Sequence, residues 1–156
     1  MTAAAFPDIA ELVPHASPMR LVARVLAHSP QETVCALDPA ASELFRDTEG
    51  RIPGWVALEW MAQCIAAHGG LVARAGGRQP SPGMLVGARR LEFARDAFAP
   101  GDPLEVEARF AGAAGALASF DCALRQGGEV AATATLSVYV SESFARPPVP
   151  GTGAGG

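Results

Sequence analysis

One acid stands apart in this chain. Glu59 lies in "GWVALEWMAQCIAAHGG" (residues 54–70), a run otherwise made of apolar, small and uncharged residues. A carboxyl in apolar surroundings is favoured in its neutral form, which is the form a general acid needs. Gln63 follows four residues later on the same helical face, within reach to hydrogen-bond that carboxyl or hold its orientation. A plainer reading is open as well: a partly exposed helix residue paired with Arg51 or with a second subunit.

Other reactive side chains are few. Of the three histidines, His28 closes an extended segment beside Ser29-Pro30 and reads as a surface turn residue. His68 lies nine residues beyond Glu59. At about 100° per residue it falls near the opposite helix face, which suggests core packing or a dimer contact rather than catalysis. Cys35, Cys64 and Cys122 are odd in number and widely spaced. They form neither a metal motif nor a disulfide framework and read as reduced core thiols. Arg89, Arg90 and Arg95 make a small basic cluster, explained as well by a solvated strand edge as by an acidic partner.

These groups need a scaffold, and the chain is long enough to build one. With 156 residues, 49% hydrophobic and 18% charged, it has the composition of a single globular domain. The net charge of -4, with arginine as the only strong cation, argues against a nucleic-acid surface. The opening "MTAAAFPDIAELV" lacks the basic and apolar regions of a signal peptide. The longest uncharged part of the central helix, Trp60 to Ala73, is shorter than the roughly 17–25 residues a bilayer requires. The expectation is a soluble cytoplasmic domain over residues 1–144, followed by a disordered Pro/Gly-rich tail from Ala145.

Period decides the elements. Residues 6–12 form a short helix with Asp8 as its cap. Residues 19–28 and 31–38 form two strands joined at Ser29-Pro30. Pro53-Gly54 then opens a helix running from Trp55 to about Ala75, stopped by Gly76-Gly77. Four strands follow, at 83–94, 102–112, 116–126 and 129–140, separated by "APGD", "GAAG" and "GG". A lone helix that is apolar nearly all round must be wrapped by the sheet, with a second copy covering what remains. The fold class is therefore α+β: a hot-dog fold, one long helix rolled in a curved antiparallel sheet of about six strands.

Three stretches carry a resemblance: "LVPHASPMRLVARVL" (12–26), "PGWVALEWMAQ" (53–63) and "LVGARRLEFARDAFAPGD" (85–102). Together, in this order, they resemble the 3-hydroxyacyl-(acyl-carrier-protein) dehydratases of bacterial fatty acid synthesis. They are more similar still to a dehydratase-like branch found in aryl-polyene pigment clusters. The resemblance implies substrates carried on the phosphopantetheine of an acyl carrier protein, no further cofactor or metal, and a site between two protomers of a homodimer or heterodimer. Dehydration removes a proton beside the thioester carbonyl and expels hydroxide from the next carbon, so it needs a base, an enolate stabiliser and a proton donor. By the resemblance, Glu59 serves the hydroxyl end and the backbone N–H of Gly54 polarises the thioester carbonyl. Phe93, Phe98, Phe110 and Phe120 read as core, with some open to lining an acyl tunnel.

The chain departs from that pattern at one position. The family's general base is a histidine in the loop before the helix, and the ungapped match to it is Phe45 in "ELFRDTEG". Phenylalanine accepts no proton. His15, which matches a histidine common in the family's N-terminal segment, is kept as a second catalytic candidate beside Glu59. Gly54, Gln63 and Phe45 are the expected substrate contacts. Two alternatives stay open: a catalytically silent partner of an active homologue, and a hot-dog thioesterase that uses the helix acid to activate water.

Overall fold

The computed structural model describes residues 5–13, 19–37, 44–79, 83–99 and 103–140. His15, the Pro100-Gly101-Asp102 turn and the C-terminal Pro/Gly segment lie outside the described residues. A four-residue helix α1 (Ile9–Leu12) opens the chain, and Asp8 caps it by accepting from the Ala10 N–H at 3.1 Å. Strands β1 (Val22–His28) and β2 (Glu32–Leu37) follow as an antiparallel hairpin. After β3 (Ile52–Pro53) comes a 3-10 turn (Gly54–Val56), which leads into the long helix α2 (Ala57–Ala75). Strands β4 (Gly83–Phe93), β5 (Ala97–Phe98), β6 (Leu104–Ala114), β7 (Leu117–Gln126) and β8 (Glu129–Val140) complete the order.

Six strands form one antiparallel sheet in the order β1-β2-β6-β7-β8-β4. Alternation along β7 sets its inner face. Ala118, Phe120, Cys122 and Leu124 are buried, while Leu117 and Asp121 are exposed. Gly127 and Gly128, at φ 57° and 85°, make the two-residue turn to β8, where both residues must enter the left-handed region. Against the inner face lies α2, buried along nearly its whole length. Trp60 packs on Phe98 with ring centroids 5.6 Å apart. The stretch Gly54–Ala75 is long and apolar enough to cross a membrane by composition alone, yet most of it is buried inside the fold. Gly70 lets α1 approach, since a Cβ there would lie 2.9 Å from the Leu12 carbonyl oxygen.

Two features depart from the sequence expectation. A second, two-stranded sheet pairs β3 with β5, Ile52 opposite Phe98 and Pro53 opposite Ala97, and holds the start of α2 in place. Strand β4 is exposed along all eleven residues, so Phe93 belongs to an open edge and not to the core. Its pairing with β8 slips between Leu85 and Gly87 and again between Arg89 and Glu92, and Arg90 sits at φ 56° in the second bulge.

Candidate active site

The first turn of α2 is the centre of the site. Glu59 stands there half-buried, and the Gln63 amide nitrogen donates to its Oε1 at 3.2 Å. Arg51, the surface partner considered for Glu59, instead pairs with Asp47 at 3.4 Å and Glu49 at 2.6 Å.

Gln63 is wholly buried, and every hydrogen-bonding position of its amide is occupied by the chain itself. Its Oε1 accepts from Leu21 N–H at 2.8 Å and Val22 N–H at 3.3 Å. Its Nε2 donates to the Met19 carbonyl at 2.7 Å as well as to Glu59. Nothing remains for a substrate, so Gln63 ties the entry of β1 to the helix and holds the acid.

Gly54 also differs from the expectation. Its N–H donates to the Asp96 carbonyl at 2.7 Å, inside the turn that precedes β5. A Cβ at Gly54 would lie 2.9 Å from the Arg95 carbonyl oxygen and 3.0 Å from that of Asp96. The glycine is required by the chain's own backbone, and its N–H is occupied. The next donor along the turn, the Trp55 N–H, has no acceptor among the described residues. The N–H that this helix end leaves over among the described residues is therefore that of Trp55 rather than Gly54, beside the positive end of the helix.

Phe45 takes its place beside this turn. Half-buried, it packs against the core and meets Trp55 edge to face, with centroids 5.7 Å apart and rings at 87°. Trp55 remains 57% exposed, so the aromatic pair walls the approach to the helix end. Along α2 beyond Glu59, Ala62 and Ala66 are also only half-buried, leaving a narrow apolar strip below the acid.

The described histidines lie elsewhere. Thr33, fully buried on β2, bridges them: its hydroxyl is 2.8 Å from His28 Nδ1 and 2.8 Å from His68 Nδ1. The two rings are 5.3 Å apart, and His68 meets Phe120 edge-on. His28 is thus half-buried and bonded, not the free surface turn residue its neighbours Ser29-Pro30 suggest. Burial pulls the pKa of both rings down, that of His68 to about 4 with a further contribution from His28. The three cysteines are buried thiols. Burial, then the neighbouring Cys35, pushes Cys64 well above the ordinary range, and burial pushes Cys122 up to about 12. Neither set offers a base at the helix end. Asp47 is held ionised by the Arg51 backbone N–H, so it too is engaged.

Comparison with known proteins now decides the family. The ApeP-like model, described as ApeP dehydratase, matches residues 7–147. The chain belongs to the ApeP-like dehydratase family. No curated protein matches it. Among solved structures, a chain of the dehydratase heterocomplex ApeI:P from Xenorhabdus doucetiae superposes with a TM-score of 0.82 at 26% identity, covering 87% of this chain and 92% of that one. A mutant of the phenylacetic acid degradation protein PaaI from Thermus thermophilus gives 0.57 at 19% identity, covering 76% and 92%. Zebra fish thioesterase superfamily member 2 gives 0.54 at 16%, covering 76% and 80%. The last two share the hot-dog fold with this ApeP-like chain, and at such identities nothing more.

Proposed function

We propose that this chain is the acid-bearing subunit of a hot-dog dehydratase acting on 3-hydroxyacyl thioesters presented by an acyl carrier protein. The observation that carries the reading is Glu59, held by a buried amide on the first turn of α2, one turn beyond an N–H with no acceptor among the described residues. One helical turn is about 5.4 Å, the right order for spanning a thioester carbonyl and a hydroxyl two carbons away. Trp55 N–H steadies the charge that develops on the carbonyl, and Glu59 protonates the departing hydroxyl.

A base is still required, and Phe45 cannot be one. Among the described residues His28 and His68 are bonded to Thr33, and Asp47 to the turn around Arg51, while His15, the second catalytic candidate, lies outside them. We assign the base to a paired hot-dog subunit. The family's structural relative is a two-component dehydratase complex, and β4 here offers an exposed strand edge carrying Met84, Leu85, Val86, Leu91 and Phe93. Arg89, Arg90 and Arg95, exposed on and just after that strand, suit an acidic carrier protein.

The test is enoyl formation from a 3-hydroxyacyl carrier substrate, by the chain alone and mixed with its co-encoded dehydratase. The expected result is product in the mixture, lost with Glu59→Gln. No product in either, or full activity with Glu59→Gln, overturns the reading. Phe45 favours one rival, a silent partner that only shapes an active homologue. In that case the mixture is active and Glu59→Gln changes nothing. Release of free acid instead of the enoyl product would mark a thioesterase.

A further inference from the structure

The face of the main sheet that points away from α2 is not uniformly polar. In alternation with the buried Ala118 and Val138, Leu117 and Tyr139 point outward, and Met84 stands opposite Tyr139 on the neighbouring strand. These three side chains are 45%, 49% and 65% exposed and form one apolar ridge across β7, β8 and β4. A contiguous apolar patch of this kind marks a contact surface. The next outward row is made of glycine and serine only: Gly112, Ser119, Ser137 and Gly87, in register on four adjacent strands. It leaves a groove of about 280 Å³, walled by Leu117 on one side and Arg89 on the other. In that row the Ser119 hydroxyl oxygen is buried and has no hydrogen-bond partner among the described residues, a state that folded chains rarely leave uncorrected.

We propose that this ridge and groove are the two halves of one contact between copies of this chain, with the sheets packed back to back. A ridge beside a parallel groove is complementary to itself. A twofold axis running between the two rows, and parallel to them, sets Leu117 over Ser119, Tyr139 over Ser137 and Met84 over Gly87 of the second copy. The same three contacts then return from the second copy to the first. Each large side chain lands on the small residue that its own strand offers, so the two sheets close to the roughly 10 Å of face-to-face packing. The hydroxyl of Tyr139 in the second copy reaches the row that holds Ser119 and supplies the partner that this serine lacks. Covering ridge and groove on both copies removes on the order of 1,000 Å² from water, the area at which specific interfaces begin. Pairing along the β4 edge is made by backbone groups and leaves these outward side chains uncovered. The contact is therefore additional to that pairing and independent of the chemistry at Glu59.

Sedimentation of the full chain alone should show a doubling of mass as its concentration rises. Tyr139→Asp sets a charge in the contact and should move that doubling to about tenfold higher concentration or beyond. Its melting temperature, measured where the chain is not associated, should be unchanged, and Leu117→Asp serves as a second variant of the same ridge. Cross-linking tests the position. Chains carrying Tyr139→Cys, mixed with chains carrying Ser137→Cys and oxidised glutathione, should give the mixed disulfide ahead of either symmetric one. The three native thiols are buried and stay out of the reaction. Labelling of Tyr139→Cys by a thiol reagent separates the other occupants, since contact with a second copy slows it as protein concentration rises. Fast labelling at every concentration leaves the ridge open to solvent. Slow labelling at every concentration, without doubling of mass, gives the ridge to the chain's own residues 141–156. Either result overturns the proposal, as does a doubling of mass indifferent to both ridge variants.

Discussion

Acid should loosen this fold through His68, and the size of the effect follows from its surroundings. His68 is 3% exposed on the central helix, with its Nδ1 on Thr33 and its ring edge-on to Phe120. Phe110 also meets Phe120 edge-on, and the Glu32–Arg109 pair is exposed. Among the described residues, the hydrogen bond to the ring comes from Thr33 and not from a carboxylate. Its pKa falls from 6.5 to about 4 in the folded state, so the unfolded chain binds this proton more tightly. Stability from the neutral ring is therefore complete above pH 6.5 and is lost as pH falls towards 4. At about 1.36 kcal/mol per pKa unit, the loss approaches about 3 kcal/mol below pH 4 and is about 2 kcal/mol at pH 5. Against a typical stability of about 5–15 kcal/mol, that is readily measured. Urea unfolding at pH 7.5 and pH 5, at one protomer concentration, gives the wild-type difference. His68→Gln keeps a polar group near Thr33 but cannot titrate, so its difference between the two pH values should shrink by about 2 kcal/mol. Equal pH slopes for wild type and variant, or a His68 ring that titrates near 6.5 by NMR, would refute the reasoning.

Two further outcomes follow from the packing. Gly54→Ala forces a methyl against two carbonyl oxygens at 2.9 and 3.0 Å and disturbs the bond to Asp96, so chemical denaturation should show a loss of about 1–3 kcal/mol even without substrate. With Cys64 and Cys122 pushed upward by burial, a disulfide-exchange reagent at pH 8 should label none of the three buried thiols in the native protein within minutes, and all three in urea.

Much of the architecture is legible because it rests on period. Alternation along 116–126 identifies both faces of β7, and the unbroken apolar run after Pro53-Gly54 identifies α2. The pairing of β3 with β5 is not legible, since two residues carry no period and their partnership is made only by the folded chain. At the site, the i to i+4 spacing of Glu59 and Gln63 gives their contact, but not that β1 occupies the rest of the amide. Local sequence likewise misplaces His28. Beside Ser-Pro it looks exposed, whereas its partner Thr33 is reached only through the hairpin and His68 only through the helix. Gly54 does mark a close backbone approach, as its residue type suggests, but the approaching backbone is the chain's own rather than a ligand.

Phe45 leads to the sharpest remaining prediction. The ring stands beside the 3-10 turn, edge-on to Trp55, and Trp55 precedes Glu59 by one helical turn on the same face. An imidazole placed there would lie near the positive end of α2, which disfavours its charged form and keeps it neutral, as a base must be. The substitution removes aromatic contact with Trp55 at a cost of about 1 kcal/mol, small enough for the fold to survive. If the chain lacks only a base, Phe45→His alone, without any partner, should begin to form enoyl product from the 3-hydroxyacyl carrier substrate. That gain should disappear in the Phe45→His, Glu59→Gln double variant and should rise with pH as the imidazole loses its proton. A folded Phe45→His protein that stays inert alone, yet still supports the mixed complex, would place the catalytic base away from this wall. Phe45 would then be part of the acyl-binding surface, and the partner subunit would carry the base from another direction.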